Sequence, residues 1–493
     1  MSESQKSIVL ATTPLWETHH AEAIEIVHRL HAEKKDVVFV TCIGALDSCA
    51  ANPHKKMNVC RRCVKQSEYT RKNLLPDNVS WLPLEFDEMN FGETYSIQTV
   101  DDLMGIFFED MPIGKLVYSQ ICDDEKGEYL DIDRLKPKIS KLLNNGISLY
   151  RQTCELITKK NVSEVYAWNG RRQSDGPALW AARKHSVAYY AYISGGRPHL
   201  INIQNSLSVQ DFTERHVQLK KVYEKAARVH GMRQVQDEAK AYYKQYREGS
   251  VRQVGFRFDS DVNSVKPVLK TDLPILLIVT STPKEHVHQL QYDEFYGSDP
   301  YGRFLEILDC NELYRKFYVI VRWHPFNSRS NTETRERIDR LIDKYGTARH
   351  FHPSSKIDTY DLLDKSEVVF ATNSTVAQYA ASVGKPTIIY GPAAVMFGQS
   401  VFAVRNSHEV LKLLLTGDYK NSREPADALK LGFYAGNFGE PFQYVRINTS
   451  VRSGWWLRNE QLGTQKPILR PSGFLKRTFR SLKSFVNKQK SLL

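Results

Sequence analysis

Short runs of β-branched and apolar residues alternate along this chain with segments of helical period. SIVLATT (Ser7–Thr13) is followed by an amphipathic run through Ala21–Ala32 and then by DVVFVTC (Asp36–Cys42). VSEVYAWNG (Val162–Gly170) leads into a helical PALWAARKHSV and then AYYAYIS. A second series opens at LPILLIVTST (Leu273–Thr282), continues with FYVIVRWHP (Phe317–Pro325) and ends with VVFATNSTVAQYAASVGKPTIIYG (Val368–Gly391). Apolar runs without polar alternation suit strands buried on both faces, and their alternation with helices predicts parallel sheets covered on both sides. The predicted fold class is α/β, with two Rossmann-like halves facing a cleft. Val209–Tyr246 is highly charged and helical in pattern, and Val251–Asp272 is polar and breaks periodicity. The predicted organisation is therefore an N-terminal half over 1–250, a linker over 251–272, a C-terminal half over 273–445, and a return segment and tail over 446–493.

Composition adds three constraints. The 493 residues are too many for one core, which agrees with two halves. The seven cysteines are an odd number, and the N-terminus lacks the basic start and long apolar core of an export signal. Both point to reduced thiols and a cytoplasmic location. The formal charge of +12 asks for an anionic partner, and half of it sits in PSGFLKRTFRSLKSFVNKQKSLL, Pro471–Leu493. There Leu475, Phe479, Leu482 and Val486 share one helical face while Lys and Arg fill the rest. That pattern predicts a basic amphipathic helix lying on an anionic membrane surface, so the chain is expected on the inner face of the membrane. The apolar stripe argues against a nucleic-acid partner, and no nucleic-acid motif is present.

Candidate chemistry gathers in the second series. Asn373, Ser374 and Thr375 break a strand and start a helix, where each can cap the first turn. In a parallel β-α-β unit that helix start lies at the carboxyl edge of the sheet, where hydroxyls and free N–H groups suit a phosphate. In Val321–Asn327 the strand ends in Arg322-Trp323-His324-Pro325, and the proline turns the chain away, delivering Arg322 and His324 to the same edge. Ser281 and Thr282 end another strand there, and Tyr360 opens a helix just ahead of the Asn373 strand. Cys42, Cys49, Cys60 and Cys63, with His54 nearby, have the residue types of a structural zinc site; reduced thiols in a basic loop are the alternative. The acids of ICDDE (Asp123, Asp124, Glu125) read as a solvated turn.

These residues carry a resemblance. His324-Pro325, then Asp358-x-x-Asp361-Leu362-Leu363, then Asn373-Ser374-Thr375, then Gly384-Lys385-Pro386-x-Ile388-x-x-Gly391 resemble the donor-binding domain of GT-B glycosyltransferases that build bacterial surface polysaccharide. The group meant is the capsule polysaccharide biosynthesis family, which includes β-Kdo transferases. Sialyltransferases that use CMP-sugars have similar His-Pro and Ser/Thr-rich motifs. The resemblance implies a nucleotide-sugar donor, a glycan or glycolipid acceptor, no required cofactor or metal, and a phosphate held by His324, Ser374 and Thr375. WNGRRQSDGPALWAARKHSVAYYAYISGG (Trp168–Gly196) also resembles an N-terminal segment of such proteins, but Ser194-Gly195-Gly196 stands where they carry an acidic E-x-G. A base for the acceptor hydroxyl is expected from the first half, with Asp175 or Glu17 as the candidates. The rival readings are a CDP-polyol phosphotransferase, a nucleotide-sugar 2-epimerase and a non-catalytic scaffold of polysaccharide assembly.

Overall fold

A computed structural model of the chain describes residues 5–467 apart from 16, 87–94, 198, 249–264, 291, 293–298, 300, 422, 449–453 and 459–464. The basic tail that begins at Pro471 lies outside the described residues.

The first half is built on β1 (Lys6–Ala11), β2 (Asp36–Cys42), β3 (Ser80–Leu84), β4 (Val162–Trp168), β5 (Ala188–Ser194) and β6 (Leu200–Gln204). The second is built on β7 (Ile275–Val279), β8 (Tyr318–Arg322), β9 (Arg349–Phe351), β10 (Val368–Ala371), β11 (Thr387–Tyr390) and β12 (Phe402–Val404). The first sheet runs β6-β5-β4-β1-β2-β3, parallel except for β6, and β13 (Glu440–Pro441) adds to its β6 edge. The second runs β12-β11-β10-β7-β8-β9 and is parallel throughout. Both show the two-sided burial that the uninterrupted apolar runs require. In the first sheet Ile8, Leu10, Val38 and Val40 face the helices Ile113–Glu125 and Ile132–Lys159, whereas Val9, Val37 and Phe39 face the helix Glu17–Ala32. In the second, Leu276, Ile278, Val319 and Val321 face one layer and Leu277, Val279 and Ile320 the other. This is the two-halved α/β architecture that the alternation predicts.

The division of the chain differs from the predicted boundaries at both crossings. The helices Phe212–His230 and Met232–Arg247 precede the expected linker but pack on the second half. Phe212 and Leu219 join its core, and Val235 and Ala239 cluster with Leu429 and Phe433 of the helix Ala426–Asn437. Tyr243 Oη donates to Ala428 O (2.7 Å), and a Cβ on Gly432 would meet the Tyr243 ring at 2.3 Å. An apolar stripe on a charged helix must be covered, and the cover here comes from two hundred residues downstream, which no local pattern displays. The return to the first half likewise begins at β13, before 446. Glu25, fully buried, accepts the backbone N–H groups of Gln443, Tyr444 and Val445 and fastens that segment. Beyond it a three-stranded antiparallel sheet forms from Val445–Asn448, Gly454–Arg458 and Gln465–Pro467.

The same crossing explains the glycines that replace the expected E-x-G. Gly196 N donates to Phe438 O (2.8 Å), and a Cβ on Gly195 or Gly196 would meet Phe438 O at 2.5 Å or Ala435 O at 2.6 Å. The turn is shaped by contact with the end of the helix Ala426–Asn437.

Candidate functional site

β7 lies between β8 and β10, and Val279 is level with both Arg322 and Ala371. The three strands therefore release their chains at one height on the carboxyl edge, where open α/β sheets bind ligands. His324 N donates to Thr280 Oγ1 (2.9 Å), and the Ser281 and Thr372 hydroxyls are 2.6 Å apart. Asn373 Nδ2 lies 2.9 Å from His286 Nε2, and Ser374 caps its helix by accepting from Val376 N (3.2 Å). Thr375 opens that helix beside the Tyr246 hydroxyl, and Thr282 O accepts from Glu285 N (3.4 Å). The histidine and the hydroxyl-lined turn thus share one edge. His324 Nδ1 accepts from Phe326 N (3.3 Å), so the neutral ring carries its proton on Nε2. Burial, reinforced by Arg322 and Lys284, pushes its pKa down to about 4, so at neutral pH it is a hydrogen-bond donor without charge.

Arg322 does not join it. Its guanidinium donates to His352 O (2.9 Å), Ser355 O (3.3 Å) and Thr359 Oγ1 (3.3 Å), fastening the loop after β9. The expectation that Arg322 grips a phosphate is corrected: β8 places its side chain among carbonyls that take up its donors. Tyr360 sits farther along the edge, in a T-shaped contact with Tyr379 and under the Arg247 guanidinium. Its hydroxyl has no hydrogen-bond partner among the described residues, and burial pushes the phenol up.

The arginines that do face the cleft come from the first half. After β4, Asn169 and Gly170 take left-handed backbone conformations (φ 61° and 83°), and a Cβ on Gly170 would meet Leu207 O at 2.0 Å. This turn sends Arg171 and Arg172 inward, where both bind Asp123 Oδ2, at 2.5 and 2.8 Å. Arg171 also donates to Ser119 Oγ (2.9 Å). Burial opposes ionisation of Asp123, yet the two guanidiniums hold it below the usual carboxylate range. The acids read as a solvated turn instead end the helix Ile113–Glu125, with Asp124 buried and accepting from Ser48 and Gln120 (2.7 Å each). That reading fails because the helix continues through the acids and buries the face that carries them.

A loop of the second half closes over this cluster. After β7 the chain runs through Lys284, Glu285, His286 and His288 into the first half, whose core takes Val287 and Tyr292. Lys284 is buried within electrostatic reach of Asp123, Glu128 and His324. Asp175 is 1% exposed, accepts from Arg172 N (3.2 Å) and is pushed by burial up to about 6. Burial also raises Glu285 and Glu128. Several polar atoms here have no hydrogen-bond partner among the described residues: both Glu128 carboxylate oxygens, both His288 ring nitrogens, Arg171 Nε and Gln173 Oε1. Each such buried group costs roughly 1–3 kcal/mol, a cost that native folds accept at sites with a further task. The contact between the halves thus gathers three basic side chains, Arg171, Arg172 and Lys284, around Asp123, which the two guanidiniums hold ionised. Basic groups converging from both halves are the residue types that an anion needs.

Sequence reasoning missed Asp123, Arg171, Arg172, Lys284, His286 and His288. Two signals pointed to them: the NGRR turn after one strand and the PKEHVH loop after another. Of the two expected bases, Asp175 lies in this cluster but faces Arg172, shut from solvent. Glu17 is the first residue of its helix, with its side chain outside the described residues. Its neighbour His20 is a core residue, bonded to Thr70 Oγ1 at 2.6 Å.

Cys42, Cys49, Cys60 and Cys63 do share one cavity, lined also by Thr12, Leu46 and Val59. Burial raises the thiols of Cys42, Cys49 and Cys63, the last two to about 12, as expected of reduced cysteines in an apolar setting. Among the described residues no group of three or more His, Cys, Asp or Glu is placed to hold a metal ion. The possible structural zinc suggested by the residue types thus has no ligand set among the described residues.

No protein-family model matches the sequence, and no curated protein matches it. Among solved structures the chain is similar to the beta Kdo 2,4 transferase KpsC of Thermosulfurimonas dismutans, at 15% identity and TM-score 0.34 over 63% of this chain and 85% of that one. It is similar to a UDP-GlcNAc 2-epimerase from Neisseria meningitidis bound to UDP-GlcNAc (11%, TM-score 0.29, over 88% of this chain and 97% of that one). The spinosyn rhamnosyltransferase SpnG matches at 11% and TM-score 0.27, over 87% of this chain and 95% of that one. With every one of these TM-scores below 0.5, none of the three assigns a reaction to this chain.

Proposed function

We propose that the protein is a glycosyltransferase that moves a sugar from a nucleotide-sugar onto a surface glycan or glycolipid. The observation that carries this reading is the convergence of Arg171, Arg172 and Lys284 around Asp123, beside the edge formed by His324, Asn373 and Ser374. Breaking a glycosyl–phosphate bond places negative charge on the leaving phosphate, and fixed donors aimed at that charge lower the barrier. Two guanidiniums, an ammonium, a neutral His324 N–H and a helix start supply that stabilisation from the protein itself. The unsatisfied groups on both halves give a bound nucleotide a reason to draw the halves together.

Thermal shift with CMP, UDP and GDP tests the reading, since a ligand that binds the folded state raises its stability by mass action. One nucleotide is expected to raise the melting temperature, and silence across all three would remove the donor site. Because His324 donates as a neutral ring, His324→Ala is expected to weaken nucleotide binding by up to about tenfold, the value of one neutral hydrogen bond near 1 kcal/mol. Unchanged affinity would take His324 out of the clamp. Membrane attachment rests on the tail: deletion of 474–493 is expected to shift the protein from the membrane to the soluble fraction, and retention on the membrane would refute it.

A further inference from the structure

Four of the seven cysteines gather at one place, the carboxyl edge of the first sheet. Cys42 ends β2, Cys49 lies in the loop that follows, and Cys60 and Cys63 belong to the helix Met57–Asn73. The cavity they line is about 20 Å³, room for about one water, so the four residues surround a common centre. All four are free thiols. A cysteine used only as a small apolar residue packs singly. Cys122, Cys154 and Cys310 show that alternative, each on a separate element. Asn52 joins two of the four: its backbone N–H donates to Cys49 O (2.9 Å) and its Nδ2 to Cys60 Sγ (3.1 Å). Cys60 is half-buried, whereas Cys42, Cys49 and Cys63 are buried, so a small oxidant arriving from solvent meets Cys60 first. The same loop reaches the arginine turn. Ser48, next to Cys49, accepts from Gln173 Nε2 through its carbonyl (3.0 Å) and donates from its hydroxyl to Asp124 (2.7 Å).

We infer that Cys60 and Cys49 form an oxidation site, closed by hydrogen peroxide into a reversible disulfide that disturbs the Arg171–Arg172 turn. The bond itself stands apart from the transferase reading above; its effect on nucleotide binding rests on that reading. In the first step the Cys60 sulfur attacks a peroxide oxygen, the O–O bond breaks, and Cys60 becomes a sulfenic acid. The Cys49 sulfur then attacks the Cys60 sulfur, the S–O bond breaks, and the S–S bond forms. In each step the thiol proton goes to the departing oxygen, which leaves as water. Two thiols are thus oxidised by two electrons while one peroxide is reduced to two waters. The shared cavity gives the two sulfurs room to approach. Closing the bond draws Cys49 toward the helix Met57–Asn73 and Ser48 with it, loosening the hydrogen bonds to Gln173 and Asp124 that steady the arginine turn.

The test uses the full chain, fully reduced and then treated with hydrogen peroxide, with remaining thiols alkylated before digestion. Trypsin cuts after Lys55, Lys56, Arg61 and Arg62, so Cys49, Cys60 and Cys63 fall on separate peptides. Mass spectrometry is expected to find the Cys49 and Cys60 peptides joined, and separate again after dithiothreitol. The link is expected to persist in Cys42→Ser and Cys63→Ser and to vanish in Cys49→Ser and Cys60→Ser. Affinity for CMP, UDP and GDP is then measured calorimetrically on both forms. The oxidised form is expected to bind about five- to tenfold more weakly, roughly the worth of one lost hydrogen bond. Cys60→Ser is expected to bind alike before and after peroxide. Loss of the link in Cys42→Ser, or passage of Cys60 to sulfonic acid with no link formed, would overturn the site. A link that leaves nucleotide affinity unchanged would overturn its effect on the arginine turn. If the reduced protein binds none of the three nucleotides, the transferase reading and that effect fall together, while the link is still decided by the peptides.

Discussion

Changing Arg171 and Arg172 together to methionine is expected to abolish measurable nucleotide binding. Each guanidinium offers charge-assisted hydrogen bonds worth roughly 1.5–3 kcal/mol. Two of them therefore carry about 3–6 kcal/mol, a loss of roughly 100- to 20,000-fold in affinity. Methionine keeps an unbranched apolar stem, so the packing of the turn after β4 is largely preserved. The pair must be changed together because Asp123 bonds to both arginines, and a single substitution leaves the other to hold the site. The double variant also strands Asp123, so Asp123→Asn is added to restore neutrality in the pocket. Calorimetric titration of the triple variant is the deciding measurement, and affinity within tenfold of the parent would refute the Arg171–Arg172 pair as the phosphate site.

The second large effect is on stability, and its sign depends on pH. Asp175 is pushed from an ordinary value near 3.8 to about 6 by burial. A group whose proton is held more tightly in the folded state destabilises the fold once it ionises. The cost is absent below about pH 4, grows between pH 4 and 6, and is complete above pH 7. The interval from 3.8 to about 6 corresponds to roughly 3 kcal/mol. Asp175→Asn mimics the neutral carboxyl and keeps an oxygen to accept from Arg172 N. Its urea midpoint is therefore expected to exceed the parent's at pH 8 and to match it at pH 4. A lower midpoint at pH 8 would mean that the ionised carboxylate stabilises the fold through Arg172, contrary to the dominance of burial.

Membership of each half was legible where the pattern was local. The uninterrupted runs Ile275–Val279 and Val368–Ala371 could only be buried strands, and the Pro325 and Gly384-Lys385-Pro386 breaks placed their turns. A strand end fixes which edge a residue reaches, so His324, Asn373 and Ser374 were placed together from sequence. It does not fix where a long side chain points. Arg322 reaches the expected edge and then turns to the carbonyls of His352 and Ser355, whereas Arg171 and Arg172 reach into the cleft from a turn first valued for Asp175.

What the chain determined alone is therefore the order of strands and helices, the two α/β halves, and the HP and NST edge, because periodicity and breakers act within a few residues. The cleft was decided by the tertiary structure. Asp123 and Arg171 are forty-eight residues apart, and Lys284 belongs to the other half. Their charges sense one another only after burial strips away water, since solvent screens separated charges in the unfolded chain within about a Debye length. The same holds for Val235 and Leu429: an apolar stripe announces that it must be covered, and only the folded chain selects the cover.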